Sequence, residues 1–197
     1  NNDKDWTPNN SDGKFRGLVS MKKALANSIN TVSARLIHEV GAPAVVEMTK
    51  NLGVTSDIPN RPAIALGAVE ITVEEMVAAF STFANEGVYI KPQLITRIED
   101  KNGVVIYQGV EESHDVVNKD VAYSIIKLME GVTESGTGSR LRWAASAPSN
   151  FLTGVPYNIK GPVAGKTGTS QNNSDGWFIG MVPNLAAGVW VGNEDRS

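Results

Sequence analysis

The first regular pattern of apolar positions runs from Ser20 to Val40. Its apolar residues recur at spacings of three and four along one helical face: Leu25, Ile29, Val32, Leu36 and Val40. Asn27, Ser28 and Asn30 interrupt this face with side chains that compete for backbone hydrogen bonds. The pattern therefore predicts two helices, or one helix that is broken near Ser28.

A second helical pattern runs from Thr72 to Glu86. Thr72 and Glu75 have the spacing of a capping box, and Gly87 suits a helix end. The predicted buried stripe consists of Val73, Met76, Phe80 and Phe83. The preceding residues, Thr55 to Val69, show no such pattern and are interpreted as a loop.

Shorter signals predict two more helices. Pro43 favours a first turn and Gly53 a left-handed stop, so one helix is predicted from about Ala44 to Leu52. Another is predicted from Lys119 to Glu130 with Asn118 as its N-cap. Its predicted inward positions are Val121, Ile125 and Leu128. A mobile or functional segment rich in glycine is predicted to follow, with Gly131, Gly136, Gly138 and Gly154.

Strand-like runs occur in the middle and at the end of the chain. Leu94 to Glu99 and Val104 to Gln108 flank an Asn-Gly pair, which predicts a β-hairpin. Three further runs are Val163 to Ser170, Gly176 to Val182 and Leu185 to Gly192. The last two are almost continuously apolar, so both faces of their sheet should be covered. We expect one mixed α/β domain with a predominantly antiparallel sheet and helices on both faces.

Composition excludes several classes of protein. The chain has 197 residues, of which 41% are hydrophobic and 20% charged, so it is long enough for one sizeable core. A net charge of −3 gives no general attraction for nucleic acid, and no cysteine is present for a disulfide or a thiolate. No apolar run approaches the ~18 residues of a membrane-spanning helix. The first residues, Asn1 to Asp5, resemble neither a signal peptide nor an initiator Met, and we interpret the chain as a piece of a longer protein.

Two short motifs carry residues that are suited to acyl transfer: Ser28 with Asn30, and Lys166 with Thr167 and Gly168. A serine nucleophile needs a base, a proton path to the leaving amine, donors for the oxyanion and contacts that hold the substrate. In this scheme Lys166 supplies positive charge, Ser28 relays a proton and Asn30 bonds a substrate amide.

The residues after Lys166 suit the binding of a carboxylate. Thr167 and Thr169 share one face of a predicted strand, because alternate side chains point the same way. Their hydroxyls could hold a substrate carboxylate. Gly168 between them would let a backbone approach closely.

Ser-x-Asn followed by a later Lys-Thr-Gly is a signature of penicillin-binding proteins and serine β-lactamases. The surrounding sequence resembles the transpeptidase domain of class A, bifunctional penicillin-binding proteins over nearly the whole chain. The matching residues are Trp6, Pro8 and Asn9; Lys23, Ala24 and Leu25; Leu66, Gly67, Glu70, Glu75 and Met76; Phe83 to Gly87; Gly165 to Ser170; and Asp175, Trp177, Phe178, Gly180 and Val189 to Gly192.

This resemblance implies the fold of the penicillin-binding proteins and serine β-lactamases, and an extracytoplasmic enzyme that cross-links peptidoglycan. A serine would attack the D-Ala-D-Ala bond of one stem peptide, an amine of a neighbouring stem would resolve the acyl-enzyme, and β-lactam antibiotics would acylate the same serine. The resemblance gives Ser28 the relay role, Asn30 the substrate-amide contact and Lys166 the role of electropositive anchor. It implies that Thr167 and Thr169 hold the carboxylate of the terminal D-Ala or of the β-lactam. The N–H of Thr169 would form half of the oxyanion hole.

The chain departs from the family in one important respect. The family's Ser-x-x-Lys motif, at the start of a buried helix, should lie several tens of residues before Ser28. We therefore expect residues 1–197 to form an incomplete domain that is inactive alone and is anchored through a segment outside this chain. Ser11 with Lys14 has the spacing but lies in a predicted loop. Ser20, which precedes Lys23 at the same spacing, would stand ~12 Å from Ser28 along a helix axis, so we interpret Ser20 as an N-cap.

Other sites are disfavoured by spacing. Three residues separate Gly161 from Gly165, where a phosphate-binding P-loop requires four. His38 and His114 have no partner at metal-ligand spacing, and no metal or cofactor is expected. Trp177 and Trp190 suit either the lining of a ligand groove or the core, and their apolar neighbours favour the core. Two alternative functions stay open, a D,D-carboxypeptidase or β-lactamase with water as acceptor and a non-catalytic β-lactam sensor.

Overall fold

The computed structural model describes residues 6–143, 158–170 and 174–193. Its helices are α1 (Met21–Ala26), α2 (Asn30–Val40), α3 (Ala42–Asn51), α4 (Val73–Ala84) and α5 (Lys119–Glu134), with short 3-10 helices at Pro62–Leu66 and Ser139–Arg142. Its strands are β1 (Val88–Ile90), β2 (Arg97–Glu99), β3 (Val105–Gln108), β4 (Ser113–Asp115), β5 (Ala164–Thr169), β6 (Asp175–Val182) and β7 (Leu185–Gly192). Within these residues no helix is both long enough and apolar enough to cross a membrane. Gly154, part of the predicted glycine-rich segment, lies outside the described residues.

The helix break predicted near Ser28 is confirmed. α1 ends at Ala26 and α2 begins at Asn30. Ser28 has a φ of 51°, in the left-handed region, which a continuing helix does not visit. The N–H of Ile29 donates to the carbonyl of Ala24 over 3.0 Å, and the Ile29 side chain is buried. The chain therefore turns at Ser28 while the next side chain packs into the core.

α4 begins with the predicted capping box. The Thr72 hydroxyl accepts a hydrogen bond from the N–H of Glu75, and the Glu75 carboxylate accepts one from the N–H of Thr72. The predicted apolar stripe is only half-buried, and the fully buried positions are Ala78, Ala79 and Thr82. The stripe is less buried than predicted because Met76 and Phe80 line a cavity.

α3 and α5 differ from their predictions in extent. α3 begins at Ala42, and a 3-10 helix lies within the segment that was interpreted as a loop. Asn118 caps α5, since its Oδ1 accepts from the N–H of Val121 over 2.9 Å. Val121 itself is 42% exposed, so its predicted inward position is wrong. The buried positions of α5 are Ala122, Met129, Gly131, Val132 and Thr133. Small residues lie among them because they let neighbouring elements approach, and a search for large apolar residues overlooks such a face.

The main sheet has the order β5-β6-β7, and both of its pairs are antiparallel. Lys166 pairs with Ile179, and Trp177 pairs with Trp190. The predicted hairpin is also present, because β2 and β3 pair antiparallel. The predicted class, mixed α/β with antiparallel sheets flanked by helices, is confirmed.

α4 and α5 pack on one face of the main sheet. Ala164 and Met181 form a buried cluster there with Met129 of α5, and Phe83 of α4 packs against it. Strand alternation places the following side chains on the opposite face. These are Leu185, Val189 and Val191, which are 63%, 52% and 69% exposed. Among the described residues, this face of β7 is therefore not covered, although helices were predicted on both faces of the sheet. An apolar strand indicates that burial is favourable, but it does not specify the segment that provides it.

Candidate active site

Ser28 and Lys166 meet between the helices and the main sheet. The Nζ of Lys166 donates to the Oγ of Ser28 over 3.0 Å and to the carbonyl of Thr167 over 2.7 Å. The extended backbone of β5 carries the lysine, and the break between α1 and α2 carries the serine. The prediction that these two motifs share one site is confirmed, whereas the chemical roles of the two side chains stay predictions.

Burial perturbs the titration of Lys166. Loss of hydration disfavours the charged ammonium and lowers the pKa of Lys166 below its ordinary value of 10.5. In the part of the chain that the structure describes, no carboxylate lies within salt-bridge distance of this ammonium. Within the described residues its positive charge has no carboxylate partner, and it faces a cavity in which an anionic ligand would be attracted to it.

The backbone at Ser28 is strained. A non-glycine residue at positive φ is held at a cost of ~1–3 kcal/mol, and such residues cluster at functional sites. The N–H of Ser28 donates to the carbonyl of Leu25 over 3.1 Å, and the buried Ile29 fixes the following residue. These contacts stabilise the turn that brings the Ser28 hydroxyl to Lys166.

Asn30 begins α2 and lines a groove that also contains Thr169. Its Nδ2 donates to the carbonyl of Asn9 over 2.9 Å. The neighbouring Asn10 is 6% exposed, and its Oδ1 accepts from both the N–H and the hydroxyl of Thr31. The start of α2 is thus fixed by the preceding loop. None of the described residues donates to the Oδ1 of Asn30.

The residues after Lys166 follow an edge of the sheet, since β5 pairs with β6 alone among the described strands. Thr169 is exposed, and the Oγ1 of Thr167 lies 2.5 Å from the Oγ1 of Thr137. A Cβ at Gly168 would lie 3.0 Å from the Cβ of Trp177, so packing within the sheet already favours glycine there. The ligand contacts predicted for Thr167, Gly168 and Thr169 stay predictions.

Two adjoining cavities open at this edge. The first, of about 570 Å³, is lined by Lys166 to Ser170 and by apolar side chains of α4 and the sheet, which are Met76, Phe80, Trp177, Ile179 and Trp190. The second, of about 930 Å³, is lined by Asn30 and Glu70 and shares Thr169 with the first. The two tryptophans therefore line a cavity, and their interpretation as core residues is wrong. Together the cavities place the Lys166 ammonium, the carboxylates of Glu70 and Asp175 and an apolar surface side by side.

Glu75 was recognised in the sequence only as a capping residue. Its carboxylate accepts hydrogen bonds of 2.6 to 3.1 Å from the backbone and hydroxyl groups of Thr55, Ser56 and Thr72. Burial by itself raises the pKa of Glu75, but the bonds from Ser56, Thr55 and Thr72 outweigh it and hold the pKa far below the ordinary value. Glu75 thus attaches a distant loop to the start of α4, beside the wall of the first cavity.

Thr137 was missed entirely, although its hydroxyl contacts Thr167. The sequence signal that could have found it is a hydroxyl residue between two glycines, Gly136 and Gly138, in the segment interpreted as mobile or functional. That signal predicts a turn, but not the element against which the turn packs.

Other candidate residues have structural roles. Ser20 caps α1, because its Oγ accepts from the N–H of Lys23 over 3.3 Å. Ser11 lies exposed in a turn. The Nε2 of His114 lies 2.8 Å from the carbonyl oxygen of Asn51. Over the described ranges, no three His, Asp or Glu side chains come together in a group that could hold a metal ion.

Curated relatives of similar sequence are penicillin-binding proteins. Penicillin-binding protein 1A of Aquifex aeolicus is 37% identical over 188 residues, which cover 95% of this chain and 24% of the relative. Penicillin-binding protein 1A of Clostridium acetobutylicum is 32% identical over 194 residues, which cover 96% of this chain and 22% of the relative. The chain therefore spans about a quarter of the length of these relatives.

Solved structures with a similar fold belong to the same group. Penicillin-binding protein 1A of Haemophilus influenzae aligns with a TM-score of 0.83 at 23% identity, over 97% of this chain and 32% of its own. The PonA1 protein of Mycobacterium tuberculosis, solved in complex with penicillin V, aligns with a TM-score of 0.76 at 26% identity, over 95% of this chain and 51% of its own. The family model of the penicillin binding protein transpeptidase domain matches residues 1–193. The chain therefore belongs to the family of penicillin-binding protein transpeptidase domains.

Proposed function

We propose that this chain forms the substrate-binding and proton-relay part of a peptidoglycan D,D-transpeptidase that is acylated by β-lactams. The observation that carries the proposal is the 3.0 Å hydrogen bond from Lys166 to Ser28, beside an open cavity. Membership of the transpeptidase family supports it. The substrates are stem peptides that end in D-Ala-D-Ala, and the enzyme acts outside the cytoplasm, anchored through a segment beyond this chain.

The reaction has two halves. In the first, a serine oxygen attacks the carbonyl carbon between the two D-Ala residues and gives up its proton to a base. The C–N bond then breaks, and Ser28 donates its proton to the departing D-Ala amine while it receives the proton that the base had taken from the nucleophile. In the second half, the amine of a neighbouring stem attacks the ester, a new amide forms, and the serine recovers its proton. Ser28 is suited to this relay because a hydroxyl can both donate and accept, and the adjacent ammonium stabilises negative charge on its oxygen.

The edge of the sheet holds the donor peptide in this proposal. The carboxylate of the terminal D-Ala lies near the Lys166 ammonium and accepts from the hydroxyls of Thr167 and Thr169. The N–H of Thr169 provides half of the oxyanion hole, with Gly168 allowing the peptide backbone to approach. Asn30 bonds the substrate amide through its Oδ1, which has no donor among the described residues. The cavity positions of Asn30, Thr167, Gly168 and Thr169 support these assignments.

The nucleophilic serine comes from a Ser-x-x-Lys segment outside this chain. Ser20, which has the right spacing to Lys23, is engaged as the N-cap of α1. The cavity beside Lys166 has apolar walls, formed by α4 and the main sheet, on which a buried helix could pack. The chain by itself would then form no acyl-enzyme, and the intact mass of the chain after incubation with a penicillin tests this point.

Labelling of the full-length protein with a fluorescent penicillin tests the proposal. We expect covalent labelling of the wild-type protein, much slower labelling of Ser28→Ala and Lys166→Ala, and wild-type labelling of the control Ser20→Ala. Absence of labelling in the wild-type protein, or unchanged rates in both site variants, contradicts the proposal.

The product formed from stem peptides identifies the acyl acceptor. Cross-linked dimers are the expected result for a transpeptidase. Release of D-Ala without cross-links would instead indicate a D,D-carboxypeptidase, and hydrolysis of the β-lactam without either product would indicate a β-lactamase-type hydrolase. A stable acyl-enzyme with neither product would indicate a β-lactam sensor.

A further inference from the structure

The segment Gly136 to Gly138, between α5 and the following 3-10 helix, presses against the end of α1. A Cβ at Gly136 would lie 2.1 Å from the carbonyl oxygen of Ala26, so only glycine permits this approach. The N–H of Thr137 donates to that same carbonyl over 2.9 Å, and the N–H of Gly138 donates to the carbonyl of Val132 over 2.9 Å. The backbone of Thr137 is therefore bonded to Ala26, which lies two residues before Ser28.

The side chain of Thr137 contacts a second element, the strand β5. Its Oγ1 lies 2.5 Å from the Oγ1 of Thr167 on β5. Thr137 thus bonds the element that carries Ser28 through its backbone and the strand that carries Lys166 through its hydroxyl. Its side chain is exposed and contributes little to the core, so packing alone gives no reason for a hydroxyl at this position.

The number of protons that each group can donate determines which hydroxyl donates in the bond between Thr137 and Thr167. A threonine hydroxyl has one proton to donate, and a carboxylate can only accept. If Thr167 is to donate its proton to a ligand carboxylate, it must accept the proton of Thr137 in the bond between them. Hydrogen bonds in such a chain polarise one another, and the bond that ends on the charged carboxylate is strengthened.

We propose that Thr137 is a positioning residue of the carboxylate site, which donates to Thr167 and so directs the Thr167 proton toward the ligand. This inference rests on the proposed function, because it assumes that Thr167 binds the carboxylate of the substrate or the β-lactam. It adds a residue outside the Ser28-Asn30 and Lys166-Thr167-Gly168 motifs.

The test is the acylation kinetics of the full-length protein with benzylpenicillin, resolved into the binding constant and the maximum acylation rate. Thr137→Val keeps the shape of the side chain and removes the hydroxyl. We expect binding to weaken about three- to tenfold, the effect of losing one neutral hydrogen bond, with the maximum rate unchanged. Thr137→Ser should restore wild-type binding, and the control Ser135→Ala, an exposed hydroxyl next to the segment, should leave both constants unchanged.

A second variant tests the route through Thr167. In a Thr167→Val background, Thr137→Val should have no further effect, because the hydroxyl through which it acts is gone. Equal losses in both backgrounds, equal losses in Thr137→Val and Thr137→Ser, or unchanged binding in Thr137→Val would each overturn the inference. If the wild-type protein is not acylated, the proposed function fails and this inference fails with it. If the wild-type protein is acylated and Thr167→Val has no effect by itself, this inference fails while the proposed function stands.

Discussion

The ammonium of Lys166 donates to the hydroxyl of Ser28 across a separation of 138 residues in the sequence. Among the described residues, the side-chain partner of this half-buried cation is a hydroxyl and not a carboxylate. A carboxylate would neutralise the charge, whereas a hydroxyl leaves it in place and can itself carry a proton. The pair therefore combines an anion-binding group with a proton carrier in one contact.

Ser28 and Ser20 should respond to alanine substitution in opposite ways. Ser28→Ala removes the relay, and we expect β-lactam acylation of the full-length protein to slow by the equivalent of ~2.7–4 kcal/mol of barrier, as for the loss of one preorganised catalytic group. Ser20→Ala removes the N-cap of α1 and should cost ~0.5–2 kcal/mol of unfolding free energy with normal acylation. Acylation rates and urea unfolding of both variants check this pair. Slow acylation in Ser20→Ala with normal rates in Ser28→Ala would reverse the two roles.

Lys166→Met should abolish the function of the site without destabilising the fold. Burial lowers the pKa of Lys166, so between that pKa and 10.5 the unfolded chain binds more protons than the folded one. The cost of burying the charge is therefore fully present below the lowered pKa and is relieved as the pH rises from that pKa to 10.5. We expect the variant to unfold at the same or a higher temperature than the wild-type protein at pH 7, with the difference becoming more favourable to the wild type toward pH 10.5. A strongly reduced melting temperature at pH 7 would show that the lysine stabilises the fold.

Glu75→Gln should lower the stability of the protein at neutral pH. The variant loses the charge that accepts bonds from Thr55, Ser56 and Thr72, and ~1–2 kcal/mol is reasonable for a partly exposed group. Because folding depresses the pKa of Glu75, its contribution is present above its ordinary pKa of about 4.5 and is lost as the pH falls toward the folded value. The gap between variant and wild type should therefore be constant above pH 4.5 and narrow below it. Glu74→Gln is the matched control, since Glu74 lies in the same helical turn and has no hydrogen bond among the described contacts.

Gly136→Ala should displace the end of α1. The new Cβ would meet the carbonyl of Ala26 at 2.1 Å, and backbone must move to relieve the clash. We expect a loss of ~1–3 kcal/mol in stability together with slower acylation, because Ser28 follows Ala26 by two residues. Gly161→Ala is the control, since its Cβ would have no neighbour within 4 Å. Equal effects at the two glycines in unfolding and acylation experiments would argue against this account.

Local sequence rules predicted the structure correctly wherever residues close in the chain form hydrogen bonds with each other. The break at Ser28, the Thr72 capping box, the Asn118 cap and the β2-β3 hairpin all depend on hydrogen bonds between residues a few positions apart. The same rules identified the two motifs that carry Ser28 and Lys166. They did not identify the buried face of α5, where small residues allow close approach, or the cavity beside Trp177 and Trp190.

The sequence by itself therefore determined the α-helices, the β2-β3 hairpin, the strands of the main sheet and the residues suited to acyl transfer, but not the short strands β1 and β4. The tertiary structure decided which of these residues meet. The packing of α5 on α1 and β5 places Thr137 against Thr167, and the start of α4 brings Glu75 to Thr55 and Ser56. The tertiary structure also leaves one face of β7 exposed among the described residues. Such contacts join residues that are distant in the chain, so they depend on the way whole helices and sheets pack, and no short-range pattern of hydrophobic and polar positions specifies that packing.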